Sequence, residues 1–197
     1  MPDSSHRQLV LGSSSKYRLE LLSRLKVPFE VAVPDLDETP QSGESPRDLA
    51  LRLALAKANA VAARFPEAVV IGSDQVADLD GEPIGKPGDH ARATAQLRRM
   101  RARTVVFQTA VAVVCHATGF EQVDLAPVKV RFRDLDDAEI EAYLRSEEPY
   151  DCAGSARSEG LGIVILEAIE SDDPTALIGL PLIRTSRMIR AAGVRLF

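Results

Sequence analysis

Two short apolar runs in this chain each lead into a cluster of polar residues that could bind an anion or move a proton. Residues 9–11 (LVL) precede residues 12–18 (GSSSKYR), and residues 68–71 (AVVI) precede residues 72–75 (GSDQ). Each run is typical of a buried β-strand, and open α/β sheets bind ligands beyond the carboxyl ends of their strands. The first cluster therefore predicts an anion-binding turn, and the second supplies a carboxylate.

The first cluster has the composition of a phosphate-binding turn. Backbone N–H groups at the start of a helix attract phosphate oxygens, and the guanidinium of Arg18 would add a bidentate, permanently charged contact. Ser13 stands at the beginning of this turn and carries a further hydroxyl group. The alternative is that the serines only cap the following helix and that Arg18 is solvated.

Two lysines extend this set of cations. Lys57 shares the apolar stripe of a predicted helix with Leu49 and Leu53, so its ammonium either reaches solvent at the edge of the core or points into a cleft. Lys86 stands between a glycine and a proline, which constrain its backbone. Taken alone, that tripeptide is an ordinary turn.

Several carboxylates could act together with these cations. Asp74, predicted at the end of a strand, could orient a magnesium ion or take a proton from attacking water. The loop acids Asp35, Asp37 and Glu38 could supply a second oxygen ligand, or they are simply solvated. The alternative for Asp74 is an Asx-turn, in which the carboxylate caps its own backbone.

Cations and carboxylates in this combination are what a triphosphate with bound Mg²⁺ requires. The cations would bind phosphate oxygens, the acids would hold the metal, and one base would activate water. The sequence contains no GxxxxGK[ST] motif, so a P-loop mechanism is disfavoured.

The composition is that of an ordinary globular protein. The chain has 197 residues, of which 45% are hydrophobic and 27% charged, with a net charge of −5. It has no basic stripe, which argues against a nucleic-acid partner. No apolar run approaches the ~20 residues that span a bilayer, and residues 1–6 do not begin a secretory signal, so we expect no membrane association. Cys115 and Cys152 stand outside any metal-binding spacing, which favours a cytoplasmic location.

Hydrophobic periodicity and turn residues predict strands that alternate with helices. Ser45 and Pro46 read as the N-cap and first position of a helix, and residues 80–81 (DG) read as a hairpin turn. A loop punctuated by three glycines precedes a last apolar run at residues 163–166. The predicted helices cover residues 16–26, 46–64, 90–101, 136–145 and 180–192, and the predicted strands cover residues 9–11, 29–33, 68–71, 76–79, 82–84, 103–115 and 122–132.

In order along the chain, these motifs resemble those of the Maf nucleotide pyrophosphatases. The resemblance rests on residues 13–18 (SSSKYR), 37–38 (DE), 52–58 (RLALAKA), 72–75 (GSDQ), 85–87 (GKP), 152–155 (CAGS), 158–160 (SEG) and 179–182 (GLPL). It implies one domain over residues 1–197, with an α/β fold similar to that of the inosine triphosphate pyrophosphatases: a mixed twisted sheet, flanking helices and two lobes around a central cleft. It also implies hydrolysis of a nucleoside triphosphate to the monophosphate and pyrophosphate with a divalent cation, Mg²⁺ or Mn²⁺.

The resemblance also implies roles for individual residues. The general base of the family falls on Asp74, and its phosphate-binding cations fall on Arg18, Lys57 and Lys86. Glu38 matches the acidic loop position and becomes the best candidate for a metal ligand beside Asp74. Water activated by Asp74 would attack the α-phosphorus while the cations stabilise departing pyrophosphate.

Three further positions separate the branches of the family. Tyr17, Gln75 and Glu159 are similar to the pattern of the 7-methyl-GTP pyrophosphatase branch, although that branch commonly has Trp where this chain has Tyr17. An aromatic face suits the positive charge of 7-methylguanine, and Glu159 could accept hydrogen bonds from guanine N1–H and N2–H. Without the resemblance, Glu159 would read as a solvated loop acid.

Other functions stay open at this point. A pyrophosphatase for ITP, dTTP or UTP would use the same phosphate site. A nucleotide-binding regulator of cell division would keep Arg18, Lys57 and Lys86 but would not need Asp74. In each case the partner is a small-molecule nucleotide, and a homodimer is the assembly that the resemblance suggests.

Overall fold

The computed structural model describes residues 7–197 and has the alternating helices and strands of an α/β protein. Residues 1–6, for which we predicted no signal sequence, lie outside the described residues. In residues 7–197, no helix is both long and apolar enough to cross a bilayer. The strands are β1 (Leu9–Gly12), β2 (Glu30–Val31), β3 (Val69–Leu79), β4 (Glu82–Ile84), β5 (Thr104–Cys115), β6 (Phe120–Phe132) and β7 (Leu166–Glu170), and the helices are α1 (Lys16–Ser23), α2 (Pro46–Ala62), α3 (His90–Met100), α4 (Asp137–Glu147) and α5 (Leu182–Ala191).

All of these strands belong to one mixed sheet. Its order is β2-β1-β3-β5-β6-β7, and β4 pairs with the far end of β3. Strand β1 runs parallel to β2 and β3, whereas β3, β5, β6 and β7 form antiparallel ladders. The predicted mixed sheet is therefore confirmed.

The helices cover the sheet in two groups, which form the two predicted lobes. Helix α2 packs on one face of the first half of β3, and α1 and α5 pack on the other face. Helices α3 and α4 pack against the second half of β3 and the adjoining parts of β5 and β6. One long strand thus runs from the core of the first lobe into the core of the second.

The prediction that a strand ends at residue 71 is wrong, because β3 continues to Leu79. Strand β5 pairs with β3 from Val70 to Asp78 and keeps it extended. On the opposite edge, the pairing with β1 ends at Gly72 and the pairing with β4 begins at Ala77. Ser73, Asp74 and Gln75 of the polar cluster therefore lie in mid-strand, at a gap between β1 and β4.

Local signals that the sequence carries are found where they were expected. Ser45 caps α2 by accepting a hydrogen bond from Asp48 N, and Pro46 opens the helix. Asp80 and Gly81 both have positive φ, as a tight hairpin turn between β3 and β4 requires. Asp136 caps α4 with a complete capping box.

Other predicted boundaries were wrong, some for local reasons and some because contacts distant along the chain decide them. Helix α1 ends at Ser23 rather than at residue 26, since Lys26 has a φ of 56°. Strand β2 has only two residues because its partner β1 ends at Gly12, where the chain turns into α1. The run at residues 163–166 begins as a 3₁₀ turn, because Arg133 holds the carbonyl groups of Val164 and Ile165.

Helix α2 lies unusually close to β3 because Gly72 has no side chain. A Cβ atom at Gly72 would lie 2.3 Å from the Ala54 carbonyl oxygen and 2.5 Å from Ala58 N. Backbone atoms cannot yield as a flexible side chain can. The spacing between α2 and the centre of the sheet therefore depends on this glycine.

We expect Gly72→Ala to lower the free energy of unfolding by about 3 kcal/mol or more, since the methyl group would separate α2 from β3. Urea denaturation monitored by circular dichroism measures this change. Gly85→Ala is the matched control, because a Cβ atom at Gly85 meets nothing within 4 Å. An unchanged urea midpoint for Gly72→Ala would contradict the packing described above.

Candidate active site

A cleft of ≈ 780 Å³ lies between the two lobes, beside the gap in the sheet. Residues from β3, from the turn after β1 and from loops of both lobes line it. The loop acids Asp35 and Asp37, which were also considered as oxygen ligands, are not in its wall, whereas all nine residues to which the sequence assigned a role are. These nine are Ser13, Tyr17, Arg18, Glu38, Lys57, Asp74, Gln75, Lys86 and Glu159.

Lys57 joins two of the predicted carboxylates inside the cleft. Its Nζ atom lies 2.7 Å from Asp74 Oδ1 and 3.0 Å from Glu38 Oε2. The Lys57 and Asp74 side chains are 7% and 11% exposed, whereas Glu38 is 55% exposed. A buried charge needs a partner, and each of these two supplies it for the other. Of the alternatives left open, Lys57 points into the cleft, and Asp74 contacts that lysine.

The alternation of side chains along β3 explains this pairing. Successive residues of a strand face opposite sides of the sheet. Gly72 and Asp74 face α2, so the helix packs on the glycine and Lys57 reaches the carboxylate two residues further along. Ser73 and Gln75 face the other side, where residues 176–179 cross the end of the cleft.

Ser73 and Gln75 fasten the loop that holds Arg18. Ser73 Oγ lies 3.0 Å from the Gly179 carbonyl oxygen, which also accepts a hydrogen bond of 2.9 Å from Arg18 Nε. Gln75 Nε2 donates to the carbonyl oxygens of Ala176 and Leu177. The amide nitrogen of this predicted specificity residue is therefore bonded within the protein.

The turn after β1 combines helix capping with placement of the guanidinium of Arg18. Ser15 Oγ accepts a hydrogen bond from Arg18 N, and Ser13 Oγ accepts from Ser15 N and from Arg18 Nη1. Burial lowers the pKa of Arg18, and the nearby charges of Asp74 and Glu38 oppose that shift. The serines cap the helix, and the same geometry directs Arg18 into the cleft.

Lys86 approaches the cleft from the opposite lobe. It is exposed in the loop between β4 and α3, and it pairs with no carboxylate of the described residues. Hydrogen bonds from Gln96 Nε2 to the Gly85 carbonyl and from Gly88 N to the Tyr150 carbonyl hold that loop. Its ammonium can therefore meet an anion that lies between the lobes.

Tyr17 and Glu159 lie beside a residue that the sequence analysis missed. The guanidinium carbon of Arg157 is 5.7 Å from the centre of the Tyr17 ring, and Arg157 Nε is 3.7 Å from Glu159 Oε1. Lys16 Nζ is also 4.9 Å from that ring centre. A cationic base at Tyr17 would share the ring with these cations. The position of Arg157 two residues before Glu159, in a glycine-rich loop, was the only available signal.

The carboxylates of the cleft fit a divalent cation that is shared with a phosphate ligand. Across residues 7–197, no group of three or more His, Cys, Asp or Glu side chains could hold a metal ion by itself. Glu38 and Asp74 nevertheless converge on one ammonium group. Mg²⁺ is commonly bound by one or two carboxylates together with waters and substrate phosphates. These two residues could therefore hold Mg²⁺ or Mn²⁺.

We expect the Cys152 thiol to react slowly with iodoacetamide at about pH 8, because the thiolate is the reactive form and little of it is present at that pH. Burial, reinforced by the Asp151 charge, raises the pKa of Cys152 to about 11. The alkylation rate should therefore rise about tenfold per pH unit and level off only near that pKa. Mass spectrometry of timed samples measures the rate, and Cys152→Ser is the control. Rapid labelling of Cys152 at neutral pH would contradict this environment.

Curated relatives match nearly the whole chain. A protein of Polaromonas sp. is 73% identical over 191 residues, covering 97% of this chain and 87% of that protein. A protein of Albidiferax ferrireducens is 67% identical over 195 residues, covering 99% and 98%. A third, from Cupriavidus metallidurans, is 58% identical over 197 residues, covering 100% and 99%. All three are named 7-methyl-GTP pyrophosphatase.

Solved structures that match include a Ham1 protein of Staphylococcus aureus and a HAM1 protein of Coxiella burnetii. The first has a TM-score of 0.48 and 18% identity, covering 65% of this chain and 73% of that chain. The second has a TM-score of 0.47 and 17% identity, covering 66% and 75%. The family model of the Maf-like proteins matches residues 8–192 of this chain. With that match and the full-length relatives, the chain belongs to the Maf-like protein family.

Proposed function

We propose that this protein is a nucleoside triphosphate pyrophosphatase that hydrolyses 7-methyl-GTP to 7-methyl-GMP and pyrophosphate. The observation that carries the proposal is the paired, buried Asp74 and Lys57 in one cleft with Arg18 and Lys86. The names of relatives at 58–73% identity support the substrate.

The three cations divide between the two lobes, as binding of a triphosphate requires. Arg18 and Lys57 belong to the first lobe, and Lys86 reaches across from the second. Phosphate oxygens bound between them would lie close to Asp74. As the bond between the α-phosphorus and the bridging oxygen breaks, negative charge develops on the leaving pyrophosphate, and fixed cations stabilise it.

Asp74 would act as the general base. A water molecule forms the new oxygen–phosphorus bond to the α-phosphate, its proton passes to the Asp74 carboxylate, and pyrophosphate leaves. Asp74 Oδ1 is held by Lys57, which fixes the orientation of the carboxylate during proton transfer. The position of Asp74 in the middle of a strand adds rigidity that a loop residue would lack.

Glu38 and Asp74 would hold the divalent cation that the family resemblance implies. When bound, Mg²⁺ or Mn²⁺ would neutralise phosphate charge. Glu38 is the more accessible of the two, since its side chain is 55% exposed and lies in a loop. Lys57 lies between both carboxylates, so its ammonium would compete with a divalent cation for their oxygens.

Base recognition would rest on the far end of the cleft. Glu159 is the acceptor for guanine N1–H and N2–H, and Tyr17 supplies an aromatic face. A pyrimidine would leave the Glu159 carboxylate poorly paired, which disfavours dTTP and UTP. ITP retains N1–H but lacks the 2-amino group, so it is the closer competitor.

The setting of the reaction follows from the same residues. We propose a cytoplasmic enzyme, which two free cysteines support, and a homodimer as its assembly. A nucleotide-binding regulator of cell division is the second candidate function. It would need the cations but no proton acceptor at Asp74.

We expect the purified protein to release pyrophosphate from 7-methyl-GTP faster than from GTP, ITP, dTTP or UTP, with Mg²⁺ or Mn²⁺ present. Asp74→Asn should lower kcat by at least about 100-fold, because the amide cannot accept the proton. Ion-exchange chromatography of the products measures both nucleotide and pyrophosphate.

The control for Asp74→Asn is a measurement of folding. The amide oxygen introduced by this substitution can still accept the hydrogen bond from Lys57. The melting temperature should nevertheless fall, because the substitution removes one of the two carboxylates that pair with the buried Lys57 charge, so circular dichroism at the assay temperature checks that the variant is folded. Equal rates on ITP and 7-methyl-GTP would refute the substrate assignment. Release of orthophosphate, or full activity of Asp74→Asn, would refute the mechanism.

We expect Lys57→Gln to bind Mn²⁺ about tenfold more tightly than the wild type when no nucleotide is present. The substitution removes a positive charge that lies between the two carboxylates, and charges at this separation interact strongly. Electron paramagnetic resonance of free Mn²⁺ measures the affinity. Lys86→Gln is the matched control, because it removes a cleft cation that touches neither carboxylate. Weaker Mn²⁺ binding by Lys57→Gln would contradict a metal site at Glu38 and Asp74.

A further inference from the structure

The guanidinium of Arg157 lies behind the two side chains proposed to read the base. Its carbon is 5.7 Å from the centre of the Tyr17 ring, and its Nε atom is 3.7 Å from Glu159 Oε1. Tyr17 and Glu159 line the cleft, whereas Arg157 does not. Arg157 therefore contacts a ligand in the cleft only through these neighbours.

A buried carboxylate anchors Arg157. Arg157 Nη1 lies 2.9 Å from Glu147 Oε1, and the Glu147 side chain is only 10% exposed. The other oxygen of Glu147 accepts a hydrogen bond of 2.8 Å from Leu161 N. Glu147 thus ties the beginning and the end of the loop at residues 157–161 to helix α4.

Two glycines allow this anchor to form. A Cβ atom at Gly160 would lie 2.6 Å from Glu147 Oε1, and a Cβ atom at Gly162 would lie 2.3 Å from the Arg157 carbonyl oxygen. Tyr143 Oη also accepts a hydrogen bond from Arg157 N. The backbone of Arg157 is therefore held closely, and its guanidinium is placed by the fold.

One donor of Arg157 remains unused. Its Nε atom is buried and has no hydrogen-bond partner among the described residues. Buried donors are nearly always bonded, so an unsatisfied one needs a reason. Glu159 Oε1 is the nearby carboxylate oxygen, at a distance slightly beyond a hydrogen bond. A small movement of Glu159 would complete a charge-assisted bond.

We propose that Arg157 is a positioning residue for base recognition: fixed by Glu147, it holds the Glu159 carboxylate against the guanine edge and supports the ring of Tyr17. The inference rests on the proposed function, in which Glu159 accepts the N1–H and N2–H groups. The N1–H and N2–H donors of guanine would bind one oxygen of the Glu159 carboxylate, while Arg157 Nε–H donates a hydrogen bond to the other oxygen. The affinity for the base then depends on Arg157, whereas the affinity of the other end of the cleft for phosphate groups does not.

The test is a double-mutant cycle of Arg157→Met and Glu159→Gln, measured as kcat and KM on 7-methyl-GTP. Arg157→Met should raise KM about tenfold, the loss of one charge-assisted hydrogen bond, with little change in kcat. In the Glu159→Gln background the same substitution should have almost no further effect, because its action passes through Glu159. Arg157→Lys should restore part of the affinity, since it keeps the charge.

Inorganic tripolyphosphate, which has no base, separates positioning from a general loss of structure. Its inhibition constant should be the same for the wild type and Arg157→Met. If that constant rises along with KM, or if kcat falls for every variant of Arg157, the residue is only structural and the inference is overturned. It is also overturned if Arg157→Met raises the KM for 7-methyl-GTP by the same factor in the wild-type and Glu159→Gln backgrounds.

Binding of 7-methyl-GMP, measured by calorimetry on the same four proteins, separates this inference from the proposed function. A wild type that releases no pyrophosphate refutes the proposed function, but base binding without turnover still tests Arg157. Weaker binding by Arg157→Met that disappears in the Glu159→Gln background supports positioning. Equal binding by the wild type and Arg157→Met, or no binding by either, overturns it.

Discussion

The ammonium group of Lys57, held between the carboxylates of Asp74 and Glu38, is the contact on which the arrangement of the cleft depends. A buried ion pair forms only where the fold brings the two charged groups within about 3 Å of each other, because either charge alone would be unstable in the protein interior. Here the approach of α2 to β3 meets that requirement, and the missing side chain at Gly72 allows the approach. Packing in the core and charge in the cleft are consequences of one close helix–strand contact. Destabilising that contact would disturb Lys57 and Asp74 together.

The cleft exists because β3 is longer than β1 and β4, the two strands that share one of its edges. Strand β1 pairs with its first part and β4 with its last part, so residues 73–76 have one free edge in the middle of the sheet. Alternation along this segment sends Asp74 toward α2 and sends Ser73 and Gln75 toward the loop at residues 176–179. That loop in turn holds Arg18 through the Gly179 carbonyl. A single strand therefore positions Asp74, its contact with Lys57 and, through the Gly179 carbonyl, the side chain of Arg18.

Different interactions hold the two ends of the cleft in place. At the phosphate end, charged groups are set by regular elements and by the core of the first lobe. At the base end, the loop at residues 157–161 carries Glu159 and is fixed by Glu147, which bonds both Arg157 and Leu161 N. The loop and the strand are thus held by separate contacts, so substitutions in the loop need not disturb the strand. The cations near Tyr17 also mean that the ring does not act alone on a charged base.

By itself, the sequence determined much of the local structure and indicated which residues are candidates for the site. The cap at Ser45, the turn at residues 80–81 and the hydroxyl-rich turn before α1 depend on nearby atoms, and all were predicted. The nine candidate site residues line one cleft. The charged residues beside glycines and strands were suggested by their local pattern, whereas Tyr17, Gln75 and Glu159 were suggested by the family resemblance. Only the tertiary structure decided that Asp74 lies in mid-strand and that Arg157 stands behind Glu159. Strand length is set by pairing with β5, distant along the chain, and an arginine looks solvated until a buried carboxylate such as Glu147 is folded against it.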